Sequence, residues 1–254
     1  MATIAPPIRA ELNAERRFFF GLAIALALTT FIGFAPTYYL VGYFDGVTTR
    51  GDRAASILTP AVHLHGLTGS LWMLLLVAQT GLVAADRRDI HKRMGIIAVA
   101  LMVAISITAW IVSFEAGGRG KAPPGWTPPG FLLIQIGTLA GFLIFATLGL
   151  LMRKRSDFHK RLMMLATISM MVPVCGRIWT RLGGIEYTRG AVGGMILSDL
   201  FLLAIILFDI RSRGRIHPVT LWGGALLVGL QIGRVMAAGT EEWQIIGRWL
   251  HATF

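Results

Sequence analysis

Cysteine is almost absent from this sequence, and charged residues are scarce. The single cysteine, Cys175, excludes an intrachain disulfide and a thiolate metal cluster. Asp, Glu, Lys and Arg form only 15% of the 254 residues, whereas 55% are hydrophobic and the mean hydropathy is +0.66. An ordinary soluble domain carries about 25% charged residues. The composition therefore predicts a protein that is buried in a membrane.

Several functional signatures are also missing. The sequence has no Gly-rich nucleotide-binding loop, no His-Glu-x-x-His and no Gly-x-Ser-x-Gly, so ATP-driven work, zinc proteolysis and serine hydrolysis lack support. The last apolar stretch, 219–239, lacks the lysine that a retinal Schiff base requires. The net charge of +11 comes from short clusters between apolar runs, which argues against nucleic-acid binding.

Seven stretches are long and apolar enough to cross a bilayer, which takes about 20 residues of helix. We therefore predict an all-α, polytopic membrane protein that forms one membrane domain over residues 1–254, with the lipid bilayer as its partner. The first stretch has no small-residue cleavage pattern and predicts a retained span. The predicted spans are residues 18–41, 61–85, 94–114, 131–152, 162–182, 191–210 and 219–239.

Lys and Arg predict the orientation of these spans. The N-terminal segment 1–17 and the loops 86–93, 153–161 and 211–218 hold 15 of them, and the other loops and the tail hold 7, counting Arg181. The positive-inside rule then places the N-terminus inside and the C-terminus outside. We expect a multi-pass protein of a bacterial inner membrane, with an amphipathic tail over 240–254 at the outer interface.

The most informative pattern is an internal repeat at an offset of 68 residues. The segment Arg87–Arg93 reads Arg-Arg-Asp-Ile-His-Lys-Arg, and Arg155–Arg161 reads Arg-Ser-Asp-Phe-His-Lys-Arg. Spans 2–3 and 4–5 therefore predict two duplicated hairpins that run in the same direction. A pseudo-two-fold axis along the membrane normal would gather them into a four-helix core, residues 61–152 and 153–182.

Under this symmetry, His91 and His159 occupy equivalent inner ends of spans 3 and 5 and could face each other. Two such imidazoles can bind the iron of a haem or a transition-metal ion, with His217 as a third metal ligand. Two alternatives stay open. In one, Asp89 and Asp157 cap their helices and the basic triplets anchor the inner face among lipid phosphates. In the other, the histidines relay protons.

A second histidine pair lies at the start of span 2. Thr59-Pro60 predicts a helix N-terminus just before His63 and His65. Residues two apart on a helix diverge by about 200°, so we expect only one of these histidines to bind a cofactor. A wet interfacial histidine is the alternative.

Three charged residues lie away from the ends of the predicted spans, all in the outer half: Arg177, Asp199 and Arg234. An ion pair of Asp199 with either arginine would offset part of the cost of burying a charge in hydrocarbon. The remaining arginine could hold a carboxylate, a haem propionate or a quinone oxygen.

Three runs carry a resemblance: His63-Leu64-His65-Gly66, His91–Gly95 and Asp157–Met163. They resemble uncharacterised bacterial multi-pass proteins whose helices begin with His-basic-x-x-Gly, although Met163 stands where the first copy has Gly95. More distantly, they resemble the b561-like cytochromes, which hold two b haems in a four-helix core. That resemblance covers spans 2–5 and implies one haem between His91 and His159. The outer pair does not match, because the offset pairs His63 and His65 with Phe131 and Leu133.

Two classes of function follow from these patterns. The first is a redox or cofactor-binding membrane protein that holds a b haem or a metal and exchanges electrons with quinone or a protein partner. The second is a non-catalytic subunit or assembly factor of a larger membrane complex. A small-molecule carrier is a weaker third, because the repeat is not inverted. Whether the chain is an enzyme stays open.

Overall fold

The structure, a computed structural model, describes residues 6–44, 58–118, 122–123, 125–183 and 190–254. For 6–11, 117–118, 181–182 and 190–191 it describes the backbone alone. Parts of the predicted inner segment 1–17, parts of the loops that were counted for orientation, and the side chain of Arg181 therefore lie outside the described residues.

All regular structure within the described residues is helical. Ten α-helices follow in chain order, with a π-helical turn after the first (Ala35–Tyr39) and another after the seventh (Ile178–Leu182). The helices are α1 (Pro6–Phe34), α2 (Val41–Phe44), α3 (Pro60–Ala84), α4 (Arg88–Gly118), α5 (Pro128–Leu151), α6 (Ser156–Ser169), α7 (Met171–Arg177), α8 (Gly190–Arg213), α9 (Pro218–Ala238) and α10 (Glu241–Thr253).

Helix starts follow the local sequence closely. The helices α3, α5 and α9 each begin with proline at the first helical position, where the missing N–H costs no hydrogen bond. Thr59 caps α3 by accepting a hydrogen bond from the Val62 backbone N–H, which confirms the predicted start. Thr127 caps α5, and Thr240 caps α10, in the same way.

The expected caps of α4 and α6 are wrong, because each aspartate lies two residues after the N-cap position. Asp89 and Asp157 lie within the first turns of helices that begin at Arg88 and Ser156. The N-cap position of α6 is Arg155, which makes no side-chain cap. A carboxylate in the first turn still interacts favourably with the helix dipole. Asp89 and Asp157 therefore stabilise the starts of α4 and α6 without capping them.

Six described helices are long and apolar enough to cross a membrane, and a bent pair would make a seventh. Their bounds match the predicted spans to within a few residues, apart from longer N-terminal ends of α1 and α4. Along α4, only 11% of the most apolar window is buried, so this helix lies at the edge of the bundle. Its exposed aliphatic side chains suit contact with lipid; they include Ile96, Ile97, Val103 and Ile107.

The bent pair replaces the predicted straight span 162–182. The helix axis turns by 44° between α6 and the segment from Met171. Pro173 lies just after the bend, and it can neither donate a backbone hydrogen bond nor fit the preceding helical turn without displacing it. The proline accounts for the break.

Aromatic and small side chains hold the core together. Trp72 of α3 is 3% exposed, lies edge-on to Phe142 of α5 and donates a hydrogen bond to Thr167 of α6 at 3.2 Å. The helix α4 packs on α3 and α5, and α5 packs on α6, so these four helices form one bundle. Around it, α1 packs on α3 and α7, α8 packs on α7, and α9 packs on α5 and α6.

The tail is a helix that packs against the bundle. In α10, Trp243 Nε1 donates to the Pro129 carbonyl at 2.7 Å, and Gly247 lies so close to Pro129 that a Cβ there would be 2.6 Å from the proline ring. We call this end of the bundle the C-terminal end, and the opposite end, where α4 and α6 begin, the histidine end.

Candidate functional site

The structure brings His91 and His159 together at the histidine end. Their ring centroids lie 6.2 Å apart, with the ring planes at 78°. The Nδ1 of His159 lies 2.7 Å from the Gly149 carbonyl oxygen. A carbonyl only accepts, so Nδ1 carries the proton and Nε2 of the neutral ring keeps its lone pair. The Nδ1 of His91 is buried with no hydrogen-bond partner.

His217, the third expected metal ligand, points elsewhere. It caps α9, where its Nδ1 accepts from the Val219 backbone N–H at 3.1 Å. Its Nε2 therefore carries the proton and donates to Asp157 Oδ2 at 3.3 Å. Burial lowers the pKa of His217, and the nearby Arg161 guanidinium lowers it further. Within the described part of the chain, no group of three His, Cys, Asp or Glu side chains could hold a metal ion.

A buried ion cluster lies beside the histidines. The side chain of Arg161 is fully buried and contacts both carboxylate oxygens of Asp209, which is itself fully buried. Arg161 Nη1 also donates to the Asp157 carbonyl at 3.1 Å. Asp209 Oδ2 accepts from the Thr220 hydroxyl at 2.6 Å and from the His217 backbone N–H at 3.2 Å. A buried pair with this many hydrogen bonds can offset its desolvation.

Glu15 of α1 connects this cluster to two further cations. Its carboxylate lies 3.4 Å from Arg161 Nη2, 2.7 Å from Lys160 Nζ and 3.0 Å from Arg213 Nη2. The cluster, which we call the Arg161 cluster, therefore joins α1, α6, α8 and α9 at one end of the bundle: its members are Glu15, Asp157, Lys160, Arg161, Asp209, Arg213, His217 and Thr220.

The expected histidines at the C-terminal end point to different neighbours. His63 is exposed, and its ring lies 5.7 Å from the Tyr38 ring. His65 is half-buried, with Nδ1 3.2 Å from the Thr108 hydroxyl. The divergence that their spacing predicts is present, and His65 is the one that faces the bundle.

The three intramembrane charges do not form one ion-paired group. Asp199 accepts from Gln231 Nε2 at 3.0 Å, and the ion pairs of the described residues do not include it. Arg177 donates to the Pro173 carbonyl at 2.8 Å and lies 4.5 Å above the Phe34 ring. Arg234 is 7% exposed and donates to α5. Glutamine, rather than arginine, is the direct partner of Asp199.

Sequence reasoning missed the Arg161 cluster, although one signal was visible. Asp209 falls inside the predicted span 191–210 and was therefore an intramembrane charge like Asp199. Arg161 stood next to a span in a basic triplet, a position typical of a solvated anchor. Its partners Glu15 and Asp209 lie far away in the sequence, and spacing gave no sign of the contact.

Comparison with protein-family models, with curated proteins and with solved structures finds no match for this chain.

Proposed function

We propose that this chain is an integral membrane redox protein that holds one transition-metal centre, the iron of a b haem or a single ion, between His91 and His159. The facing imidazoles carry the proposal. Two imidazoles that bind one metal from opposite sides, with bonds of about 2.0–2.1 Å, place their ring centres about 6 Å apart. The observed centroid separation is 6.2 Å.

The hydrogen bonds of the pair also support metal binding. Histidine ligands usually donate their second ring N–H to a carbonyl or carboxylate, which fixes the ring and leaves the other nitrogen for the metal. The bond from His159 Nδ1 to the Gly149 carbonyl does this. His91 offers a buried nitrogen without a partner, which a metal would satisfy. A metal centre held in this way supplies one-electron transfer.

The pair also supports the duplicated core and the expected orientation. A two-fold axis between repeated hairpins brings equivalent residues together, and His91 and His159 are equivalent at the 68-residue offset. We infer that α3–α4 and α5–α7 are the two copies. The excess of Lys and Arg favours a cytoplasmic position for the histidine end, and we propose that the centre there, in a bacterial inner membrane, exchanges electrons with quinone or a protein partner.

The test is the absorption spectrum and the metal content of the protein purified from membranes. We expect either a Soret band that shifts on reduction or about one bound metal ion per chain. Both should be lost in His91→Ala/His159→Ala. The matched control is His251→Ala, the same change in α10 at the other end of the bundle, which should keep the centre.

A colourless, metal-free wild-type protein would overturn the redox proposal. The remaining candidate would then be a non-catalytic subunit or assembly factor, which should co-purify with a larger membrane complex. A centre that survives the double variant would place the ligands elsewhere, with His65 the next residue to replace.

A further inference from the structure

The guanidinium of Arg234 lies inside the bundle near the C-terminal end. Arg234 precedes the last residue of α9, Ala238, by one helical turn, or about 6 Å along the axis. Its side-chain stem packs against Gly137 of α5, where an added Cβ would lie 3.0 Å from Arg234 Cδ. Only 7% of the residue is exposed. A glycine thus makes room for a charged side chain between two helices.

Three of the five N–H donors of this guanidinium, one on Nε and two on Nη2, have no partner. Nη1 donates to the Thr138 hydroxyl at 2.6 Å and to the Ile134 carbonyl at 3.3 Å. Nε and Nη2 are buried and donate to no atom. These two nitrogens form one edge of the planar group, and their N–H bonds point the same way. Such an edge matches the two oxygens of a carboxylate.

Asp199, an acidic residue of α8, does not occupy this edge. It is close enough to Arg234 to interact through space, but its Oδ1 is bonded to Gln231. Burying unpaired donors of a charged group is costly, so an external acceptor would be strongly favoured. The negative charge of Asp199 nearby disfavours a dianion such as phosphate relative to a monoanion.

A cavity lies at the C-terminal end of the bundle, and Val235, the residue after Arg234, is part of its wall. It has a volume of about 450 Å³, within the range of small-molecule sites, and lies where α5, α9 and α10 meet. Gly130 and Ala238 line it, four residues from Ile134 and Arg234 on the same helix faces. The cavity therefore lies about one turn outward from the backbone of Arg234, between the same two helices, and the guanidinium lies deeper, beside Gly137 and Thr138. Thr127 and Gln244 add polar groups to its wall.

We propose that Arg234 binds the carboxylate of an organic acid that enters through this cavity, with Nε and Nη2 donating to its two oxygens. This site is separate from the histidine pair and does not depend on a metal centre. Two sources supply this chemistry: a water-soluble acid from the aqueous side, or a fatty acid whose headgroup lies at the membrane surface.

The test is the thermal unfolding temperature of the full-length protein, purified in detergent and in a buffer free of carboxylates. Benzoate probes the soluble source and decanoate probes the lipid source, and benzamide and decanol are their uncharged counterparts. At a concentration 100 times Kd, a ligand that binds only the folded state raises the folding equilibrium constant about 100-fold. We expect one acid to raise the unfolding temperature and its neutral counterpart to leave it unchanged.

Three variants locate the effect. Arg234→Gln should abolish the shift, and Arg248→Gln, on the exposed face of α10, should keep it. Val235→Phe narrows the cavity without changing the guanidinium and should weaken binding at least tenfold, which keeps the test decisive if Arg234→Gln does not fold. Absence of a shift with either acid, an equal shift with inorganic phosphate, or a shift that persists in folded Arg234→Gln or in Val235→Phe would overturn the proposal.

Discussion

The two copies of the seven-residue repeat, Arg87–Arg93 and Arg155–Arg161, differ in charge only at the second position, Arg88 against Ser156, but they have different surroundings. In the first copy, Arg93 is exposed, and Arg87 pairs with Asp89 at 3.4 Å with both side chains 58% exposed. In the second copy, the equivalent Arg161 is fully buried in the Arg161 cluster. The repeated motif alone therefore does not determine how much its last arginine contributes to stability. The helices that carry Glu15 and Asp209 make the difference, and the ion pairs of the described residues do not include Arg93.

The largest difference should appear when the last arginine of each copy is replaced. Arg161→Met should lower the free energy of unfolding by about 3–5 kcal/mol, because it leaves Asp209 buried without its cation. Arg93→Met should change it by less than about 0.5 kcal/mol. Denaturation in mixed micelles would measure both. Equal losses in the two variants would contradict the comparison.

The second prediction compares the loss of one partner of the Arg161–Asp209 ion pair with the loss of both. The double variant Arg161→Met/Asp209→Leu should recover at least half of the stability that Arg161→Met loses, because it removes the uncompensated carboxylate. Asp209→Leu alone should be as destabilising as Arg161→Met. The same unfolding measurement tests this, and additive losses in the double variant would show that the two side chains do not act as a pair.

The third prediction concerns the histidines of the two copies in protein without a bound cofactor. His159→Ala removes the hydrogen bond to the Gly149 carbonyl and should cost about 0.5–1.5 kcal/mol in the free energy of unfolding. His91→Ala removes a ring whose Nδ1 has no partner and which interacts with the Gln79 backbone, and it should cost less. The order of the two unfolding midpoints checks this, and the reverse order would contradict the assigned roles.

The fourth and smallest effect is a pH dependence that arises from His217, the hydrogen-bond partner of Asp157 in the second copy. Burial and Arg161 lower the pKa of His217 in the folded protein below its ordinary value of 6.5. The unfolded chain therefore takes up the proton first, so the stability is fully present above pH 6.5 and falls as the pH is lowered towards the folded pKa. His217→Gln should reduce this slope between pH 7.5 and 5.5.

The matched change in the first copy is Asp89→Asn. This exposed carboxylate has no histidine partner, so the slope and the unfolding midpoint should stay at wild-type values. For Asp157→Asn, which removes the acceptor of the His217 Nε2–H, the slope should increase because the hydrogen bond that favours the protonated ring is lost. A wild-type slope in both His217→Gln and Asp157→Asn would show that His217 does not cause the pH dependence.

Much of the architecture could be predicted from the sequence because hydropathy and capping are local. The spans and the start of α3 at Thr59-Pro60 follow from short windows of residues. The proximity of His91 and His159 follows from the repeat. The burial of Arg161 could not be predicted, because it depends on acids from α1 and α8. The bend after Ser169 was also missed, since Pro173 alone does not determine the size of a kink.

The bend between α6 and α7 explains why the Arg234 side chain fits between α9 and α5. Up to the bend, α6 lies against α5, and an added Cβ at Gly141 would lie 3.3 Å from Ser169 Cβ. Beyond it, α7 leans away onto α8 and α1. One turn further along α5, at Gly137, the neighbour is Arg234 of α9. Because α7 turns away from α5, there is space beside α5 at Gly137, and the side chain of Arg234 from α9 occupies it.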